Sequence, residues 1–406
     1  MNDPTVLIAG VPFGCDNVGD EAILECTVRI VREVCPFARV TVSTADGVDT
    51  AEKLGVDTVG LFGFGTPYRR RHMVETIEAH DVFLWGGATG LSDYPEIPVE
   101  MLEIAQRAGC RTVLWGVGMN RQLNPIKYKV LPGKRKRLLT MITRLSGGRI
   151  DGVARTERRW ETRARERIAA AVDAADLAVV RDPQSRAELA RCGTKGDVVV
   201  GADSALILEP AAPDSFELPG QVREILDAAQ PVVGLCISAQ RAVRDLGTLT
   251  SWLNRFLEDA GARLLFVPMN PVTDAQLMEA LRSELNAPGK TAVLAGRYEP
   301  GEVLAVLSRL DAAVSSRLHM LILASIGHVP LVGISRGSKI DNFLEPFGLS
   351  AAGSVDSPDV DILQAQLSAH LEDAAAFRAR SRSVRAALLK RLEHAKDRLR
   401  NVLSHK

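Results

Sequence analysis

The chain has 406 residues, which is enough for two domains with separate hydrophobic cores. Apolar residues make up 46% and charged residues 25%, the composition of a water-soluble α/β protein, and no apolar run is long enough to span a membrane. The net charge is zero, but positions 121–168 hold 15 Lys and Arg against four acids.

The start of the chain and its cysteines bear on compartment and metal binding. After MNDP the sequence enters a predicted strand directly, without a basic and apolar leader, and we therefore expect a cytoplasmic protein. The six cysteines include no CxxC pair, and the histidines are dispersed. This pattern predicts reduced, mostly buried thiols and no zinc site.

The first strand, Thr5 to Ala9, leads into a glycine-rich loop and a helix that ends near Cys35. The glycine spacing matches neither nucleotide-binding fingerprint, and the acids at the helix start would repel a pyrophosphate. Two interpretations remain open for Asn17, Asp20 and Glu21. They bind neutral sugar hydroxyls, or they cap the helix on a tight turn.

Further strands are predicted at 39–43, 81–85 and 112–115, and the last two end in WGG and GVG. Glycines at the carboxyl ends of successive apolar strands are typical of a parallel sheet whose loops let a ligand approach the backbone.

The basic segment 121–168 interrupts this alternation. Its few apolar residues recur at helical spacing, which predicts either a solvated helical hairpin or an amphipathic surface that contacts anionic lipid or a lipid-linked acceptor. Aromatic residues are too sparse among the basic ones for nucleic-acid binding.

Strand 177–180 delivers Arg181 to the rim of the predicted sheet. Asp182 is placed to cap the next helix, with Pro183 at its first position, so Arg181 is the last residue of the strand. Ligands of open α/β sheets bind at that edge. Asp203 lies on the loop that closes this half of the chain.

The second half repeats the alternation, with strands at 232–237, 263–267, 291–294, 311–314 and 329–334. We predict an α/β fold of two doubly wound Rossmann-like domains facing a cleft, the plan of B-type glycosyltransferases. The N-terminal domain covers 1–208, with a basic helical insertion at about 120–170. The C-terminal domain covers 209–356, and a helical segment covers 357–406.

The stretch DAAVSSRLHMLILASIGHVPLVGI combines a strand, a helix and a strand. Ser315 or Ser316 is predicted to cap the helix, and the apolar positions form its buried stripe. Arg317 and His319 fall in the first turn, where a cation is unfavourable unless an anion lies between it and the helix. This turn therefore predicts an anion site with a proton-transfer residue beside it.

Several motifs resemble those of the polysaccharide pyruvyl transferase family, in the family's order. They are NVGDEAIL, WGG, RDPQS, VPMNPVTD, SSRLHMLILASIGHVPLVGI and SKIDNF. The resemblance covers most of the chain, roughly 6–349. The resemblance implies a fold like that of B-type glycosyltransferases and phosphoenolpyruvate (PEP) as donor. It also implies transfer of pyruvate, as a ketal, to a sugar of a cell-surface polysaccharide or its precursor.

The resemblance also implies roles for individual residues. Arg181 matches the arginine of the family's RDxxS motif, while Arg317, Leu318 and His319 match its RLH motif, and both motifs are implicated in donor binding. One stretch departs from the pattern. Where many members have a YDxK-like sequence, this chain has SRGSK, which retains Lys339.

These residues suggest a division of labour. PEP carries about three negative charges at neutral pH, and arginine binds oxyanions bidentately, so Arg181 and Arg317 would hold it from opposite domains. His319 would be the general acid, and Lys339 would add charge at the phosphate. Asn17, Asp20 and Glu21 would contact acceptor hydroxyls.

The scheme requires no cofactor and no metal. Its partners are PEP and a saccharide acceptor, free or lipid-linked, at the inner face of a membrane that segment 121–168 would touch; nucleic acid is not among them. Two other functions remain open. One is a B-type glycosyltransferase that uses a nucleotide sugar, and the other is an inactive member that only binds polymer.

Overall fold

The computed structural model describes residues 3–64, 69–241 and 243–404. Within these ranges the strands of the first sheet are β1 (Thr5–Gly10), β2 (Arg39–Thr44), β3 (Asp57–Gly60), β4 (Val82–Gly86), β5 (Arg111–Val117), β6 (Leu177–Val180) and β7 (Val198–Val200). Those of the second are β8 (Val232–Cys236), β9 (Arg263–Phe266), β10 (Thr291–Val293), β11 (Ala312–Ser315) and β12 (Leu331–Gly333). A short antiparallel pair follows, β13 (Gly353–Ser354) and β14 (Ser357–Pro358).

Helices cover both faces of the sheets and fill the connections. They are α1 (Val18–Val34), α2 (Gly47–Leu54), α3 (Arg70–Glu78), α4 (Gly90–Asp93), α5 (Glu96–Ala108), α6 (Lys134–Leu145), α7 (Gly152–Asp173), α8 (Pro183–Cys192), α9 (Gly220–Leu226), α10 (Leu246–Asp259), α11 (Thr273–Ser283), α12 (Pro300–Leu307), α13 (Leu318–Ile326), α14 (Ser338–Leu344), α15 (Val360–Glu372) and α16 (Ala375–Ser404). Short 3₁₀ turns lie at Pro125–Tyr128, Ser204–Ile207, Pro213–Ser215, Ala239–Arg241, Pro288–Lys290 and Glu345–Phe347.

Both sheets are parallel and doubly wound. The first has the order β3-β2-β1-β4-β5-β6-β7, and the second has the order β10-β9-β8-β11-β12. In each sheet the direction in which successive strands are added reverses once. The reversal lies between β1 and β4 in the first sheet and between β8 and β11 in the second. Ligands of such sheets bind beyond the carboxyl ends of the strands at these reversals. The predicted fold of two Rossmann-like domains is thus confirmed.

The strands read as continuous apolar runs because helices bury both faces of a parallel sheet. Every residue of β4 (VFLWG) and β8 (VVGLC) is buried. This is why the strands could be predicted from runs of apolar residues without an alternating pattern.

The predicted serine cap of α13 is wrong. The N-cap is Arg317, whose side chain makes no capping hydrogen bond. Ser315 Oγ accepts a hydrogen bond from the Arg317 backbone N–H, and Ser316 Oγ accepts one from Ser238 N–H. Both hydroxyls therefore stabilise the loops that leave β8 and β11, and His319 is the second residue of the helix.

The basic segment forms a hairpin of α6 and α7. The C-terminal part of α7 packs into the first domain through buried residues such as Ile168 and Val172, whereas α6 has no buried residue. No helix in the described ranges is long and apolar enough to cross a membrane.

Helix α16 joins the two domains. Near its start, the Phe377 ring stacks on Phe347 of the C-terminal half. Near its end, Arg111 Nη1 of β5 donates a hydrogen bond of 2.6 Å to the Val402 carbonyl, and buried Lys396 pairs with Glu33 of α1 at 2.8 Å. The helix thus belongs to the core of both halves.

Leu392→Ala should lower the free energy of unfolding by about 2–5 kcal/mol, because Leu392 is fully buried in α16 and its removal leaves a cavity. Urea denaturation measures the change. Lys390→Ala, at an exposed position two residues earlier, is the control and should have little effect. Equal stability of the two variants would show that α16 does not contribute to the core.

Candidate active site

A cavity of about 210 Å³ lies between the domains, at the carboxyl ends of the strands. The N-terminal domain contributes the start of α1, the loop after β4 and the residue after β6; the C-terminal domain contributes the loops after β8, β9, β11 and β12. Its polar and charged lining residues are Asn17, Asp20, Thr89, Asp93, Tyr94, Arg181, Gln240, Arg317, His319, Arg336 and Lys339. The cavity therefore occupies the reversal points of both sheets.

The structure brings together seven of the eight predicted site residues. Asn17, Asp20, Arg181, Arg317, Leu318, His319 and Lys339 all line this cavity. Asn17 is also the N-cap of α1, because its side chain accepts a hydrogen bond from Gly19 N–H. The capping and ligand-facing interpretations of this residue are thus compatible.

Glu21 does not lie with the others, contrary to expectation. It lines a separate cavity of about 500 Å³, and its Oε1 accepts hydrogen bonds from the backbone N–H groups of Gly14 (2.8 Å) and Cys15 (3.2 Å). Successive residues of a helix point about 100° apart, so Asp20 and Glu21 face different sides of α1. Burial, followed by the charge of Asp20, raises the pKa of Glu21 to about 7.

Arg317 is held by a buried carboxylate that was not predicted. Its Nε donates to Asp274 Oδ2 at 2.9 Å and its Nη2 to Asp274 Oδ1 at 2.7 Å. Asp274 is fully buried, and the third guanidinium nitrogen, Nη1, lies 3.5 Å from Gln240 Oε1. One edge of the guanidinium is therefore fixed by the protein, which orients the remainder.

Arg181 is enclosed in a similar way. Its Nε lies 3.4 Å from Asp182 Oδ2 and its Nη1 lies 3.7 Å from Asp203 Oδ2. The guanidinium passes over Gly118, where an added Cβ would approach Arg181 Cζ to 2.7 Å. Gly118 thus makes room for the Arg181 side chain. The sequence had instead suggested that a ligand approaches the backbone at this glycine.

His319 shares Asp203 with Arg181. His319 Nε2 lies 3.6 Å from Asp203 Oδ2, just beyond hydrogen-bond distance, and neither atom has a hydrogen-bond partner within the described ranges. Burial acts to raise the pKa of Asp203, but His319 and then Arg181 hold that pKa below its ordinary value. The Asp203 carboxylate is therefore charged and faces both Arg181 and His319.

The SRGSK departure adds a cation to the cavity. Arg336 lines it and donates from Nη1 to Ser238 Oγ at 2.7 Å. Burial, together with the charge of Arg336, lowers the pKa of Lys339 to about 8. Sequence reasoning noted Arg336 only as a deviation; its side-chain type, next to the retained Lys339, was the signal.

Asp20 is the buried acid that faces these cations. It is 8% exposed and lines the cavity beside Arg317, His319 and Lys339. Burial raises the pKa of Asp20, while His319, Arg317 and Lys339 act in the opposite direction.

The charged lining is dominated by cations. Three arginines and Lys339 face two lining carboxylates, those of Asp20 and Asp93. Within the described part of the chain, no group of three His, Cys, Asp or Glu side chains is arranged to hold a metal ion. The arrangement suits a small anion.

The family model for polysaccharide pyruvyl transferase matches residues 17–338, which is most of the chain. The chain belongs to the polysaccharide pyruvyl transferase family. All the cavity-lining residues of this family member, except Val11, Pro12 and Lys339, fall within the matched range, and Lys339 follows it directly. No curated protein matches the chain.

Solved structures of related fold include nucleotide-sugar enzymes. A putative UDP-N-acetylglucosamine 2-epimerase from Listeria monocytogenes is 11% identical with a TM-score of 0.62, covering 93% of this chain and 91% of its own. S. aureus MnaA, solved with UDP, is 9% identical with a TM-score of 0.60, covering 93% and 90%. Anabaena HepE, solved with UDP-glucose, is 11% identical with a TM-score of 0.57, covering 98% and 99%. At these identities the likeness shows the fold alone.

Gly19→Ala should displace the His319 ring, because an added Cβ would lie 2.3 Å from His319 Nδ1. Alanine is the better helix former by about 1 kcal/mol, so a functional loss would come from the clash and not from the helix. A crystal structure and the NMR resonances of the His319 imidazole report the movement. Gly220→Ala is the control, since nothing lies within 4 Å of its added Cβ. An unmoved ring in Gly19→Ala would contradict this packing.

Proposed function

We propose that this protein transfers pyruvate from PEP to two hydroxyls of a sugar in a cell-surface polysaccharide or its precursor, forming a ketal. Membership of the pyruvyl transferase family supports the reaction class. The observation that carries the proposal is the small interdomain cavity with Arg181, Arg317, Arg336 and Lys339 on its walls. PEP is a cytoplasmic metabolite, so the reaction would occur in the cytoplasm. No metal or organic cofactor takes part in the proposed scheme.

Donor binding would use cations from both domains. A carboxylate and a phosphate on one small molecule need donors on opposite sides, and arginine suits both groups because its planar fork binds oxyanions bidentately. Arg181 enters from the first domain, and Arg317 and Arg336 enter from the second. Asp274 and Asp203 hold two of these guanidinium groups in place before the donor binds.

Ketal formation then requires proton transfer to carbon. His319 would donate a proton to C3 of PEP, which becomes a methyl group, while a sugar hydroxyl adds to C2. The second hydroxyl replaces phosphate at C2, and phosphate leaves with its bridging oxygen. Of the two hydroxyl protons, one restores His319 and the other leaves on hydrogen phosphate, so the step balances without water.

The acceptor would lie against the α1 side of the cavity. Asn17 and Asp20 line that side, and the Asp20 carboxylate is buried. Burial raises the pKa of Asp20, as befits a base that takes a proton from a hydroxyl. Glu21 has no direct role in this scheme, because it lines the other cavity.

The dimensions and charges favour a small donor over a nucleotide sugar. Pockets for drug-sized ligands span about 300–1,000 Å³, whereas the cationic cavity measures about 210 Å³. The neighbouring cavity is larger, but its walls include Glu21, Asp46, Glu209 and Glu302, which would repel a diphosphate. Its described lining holds eight acids and two cations, Lys53 and Arg297.

Arg336→Ala should weaken PEP binding by roughly ten- to a hundredfold, because a charge-assisted hydrogen bond contributes on the order of 1.5–3 kcal/mol. Calorimetric titration with PEP measures the affinity.

His319→Gln should leave PEP binding within a few-fold of wild type and reduce transfer from radiolabelled PEP to a cell-envelope glycan fraction by at least about a hundredfold. Exposed Arg309→Ala, at an ion pair outside the cavity, is the control for both.

Two results would overturn the proposal. The first is label transfer from UDP-glucose or a GDP-sugar, with none from PEP, under the same conditions. The second is unchanged PEP binding in both the Arg336→Ala and the Arg317→Lys variants, provided that their melting temperatures show that both are folded. The lysine variant is used for Arg317 because removing its charge would leave Asp274 buried and unpaired.

PEP affinity should fall as pH rises through about 8. Burial lowers the pKa of Lys339 to about 8, so the Lys339 ammonium becomes neutral in that range. The sign follows because the neutral amine contributes no charge to an anion. Lys339→Arg stays charged and should lose this decline between pH 7 and 9, whereas Lys339→Met should bind weakly throughout. Calorimetry at several pH values measures it, and an identical decline in Lys339→Arg would assign the titration to another group.

A further inference from the structure

Helix α6 and its flanking loops expose an apolar stripe that the proposed reaction does not use. On α6, Leu138, Met141, Ile142 and Leu145 are spaced i, i+3, i+4 and i+7 and therefore share one face of the helix. Their exposures are 54%, 51%, 39% and 78%. The usual place for such a stripe is the core, but this one faces solvent.

The stripe is part of a larger concentration. Ile126, Leu131 and Ile150 in the flanking loops are 73%, 70% and 42% exposed. In the described part of the chain, seven of the eleven exposed large apolar side chains therefore lie within 126–150. We call residues 126–150 the α6 surface.

The same region is strongly cationic. Positions 121–150 contain nine Lys and Arg and no Asp or Glu. Arg135 is engaged by the hairpin, since its guanidinium lies 4.6 Å from the centre of the Trp160 ring. Most of the others, including Lys136, Arg137 and Arg144, are exposed beside the apolar stripe.

We propose that the α6 surface docks on an anionic lipid bilayer, with the apolar stripe inserted at the level of the headgroups and the flanking cations on lipid phosphates. An aliphatic stripe bordered by Lys and Arg on a short helix is the pattern that binds in the plane of a membrane interface. Charge complementarity selects the partner, because lipid phosphates match a surface that carries no acid.

Other occupants fit less well. Two copies of this surface would bring like charges together without an acid to compensate them. Nucleic acid would supply the phosphates, but single strands stack their bases on aromatic side chains, and the exposed apolar residues here are aliphatic. A duplex would contact the cations through its phosphates and leave the apolar stripe in water.

The location gives the contact a use. The basic segment leaves the first domain at the rim of the cavity, where Arg121 N–H donates to Ser338 Oγ at 3.1 Å and Asn120 Nδ2 donates to Asp93 Oδ1 at 2.8 Å. A bilayer on the α6 surface would hold the enzyme where a lipid-linked sugar could reach that rim. This use rests on the proposed function, whereas the docking itself does not.

Vesicle flotation tests the docking with the full-length protein. We expect binding to vesicles of equal parts phosphatidylglycerol and phosphatidylcholine, none to phosphatidylcholine alone, and release by high salt. Lys136→Gln, Arg137→Gln and Arg144→Gln together should weaken binding on the order of a hundredfold, about fivefold for each cation. Leu138→Ser, Met141→Ser and Leu145→Ser together should weaken it at least about tenfold.

The control replaces exposed apolar residues elsewhere. Phe37→Ser, Val48→Ser and Ile362→Ser, at positions 74%, 80% and 40% exposed, should bind vesicles like wild type. Four results would overturn the proposal. Two concern vesicles: no binding to anionic vesicles, or an equal loss of binding in this control. Two concern other partners: a lipid-free dimer, or binding to duplex DNA in place of vesicles, that the α6 substitutions abolish. PEP binding, measured separately by calorimetry, should not change in the α6 variants, so failure of docking and failure of the proposed reaction are distinguishable.

Discussion

The candidate site depends on the buried ion pair between Arg317 and Asp274. Two nearly parallel hydrogen bonds fix the guanidinium, and removal of either partner would leave a charge in the core at a cost of about 3–5 kcal/mol. The pair also sets the geometry around it. Arg317 is the N-cap of α13, so its position decides where that helix begins and where His319 points.

Close contact between the domains is the second requirement. The Val18 backbone N–H of α1 donates to the Met269 carbonyl at 3.0 Å, and His319 packs against Gly19 one residue later. Residues from both halves therefore form one set of walls around the cavity. Because Gly19 has no side chain, the His319 ring can lie against the start of α1.

Sequence reasoning reached the fold and the family because both are recorded locally, in apolar strands and in short motifs such as RDPQS and SRLH. It also found Arg181, which directly follows a strand, and Arg317, which lies at the start of a helix. It did not assign Asp203 or Asp274, because the partner of a buried arginine is chosen by tertiary contact; Asp274 is 43 positions from Arg317. For Ser316 the predicted cap failed for the same reason, because its hydroxyl accepts from the distant Ser238 N–H, whereas the Ser315 hydroxyl accepts from the nearby Arg317 N–H.

Helix α16 has a consequence for how the protein is made. The residues of the first sheet are synthesised early, yet β5 and α1 form hydrogen bonds with residues of α16. Glu33 and Lys396, which pair with each other, are 363 positions apart in the sequence. A ribosome releases domains in order from the N-terminus. The first domain lacks these contacts until the thirty residues of α16 have emerged. Contacts between residues so far apart in sequence slow folding. Docking of α16 is therefore the event that connects the two domains.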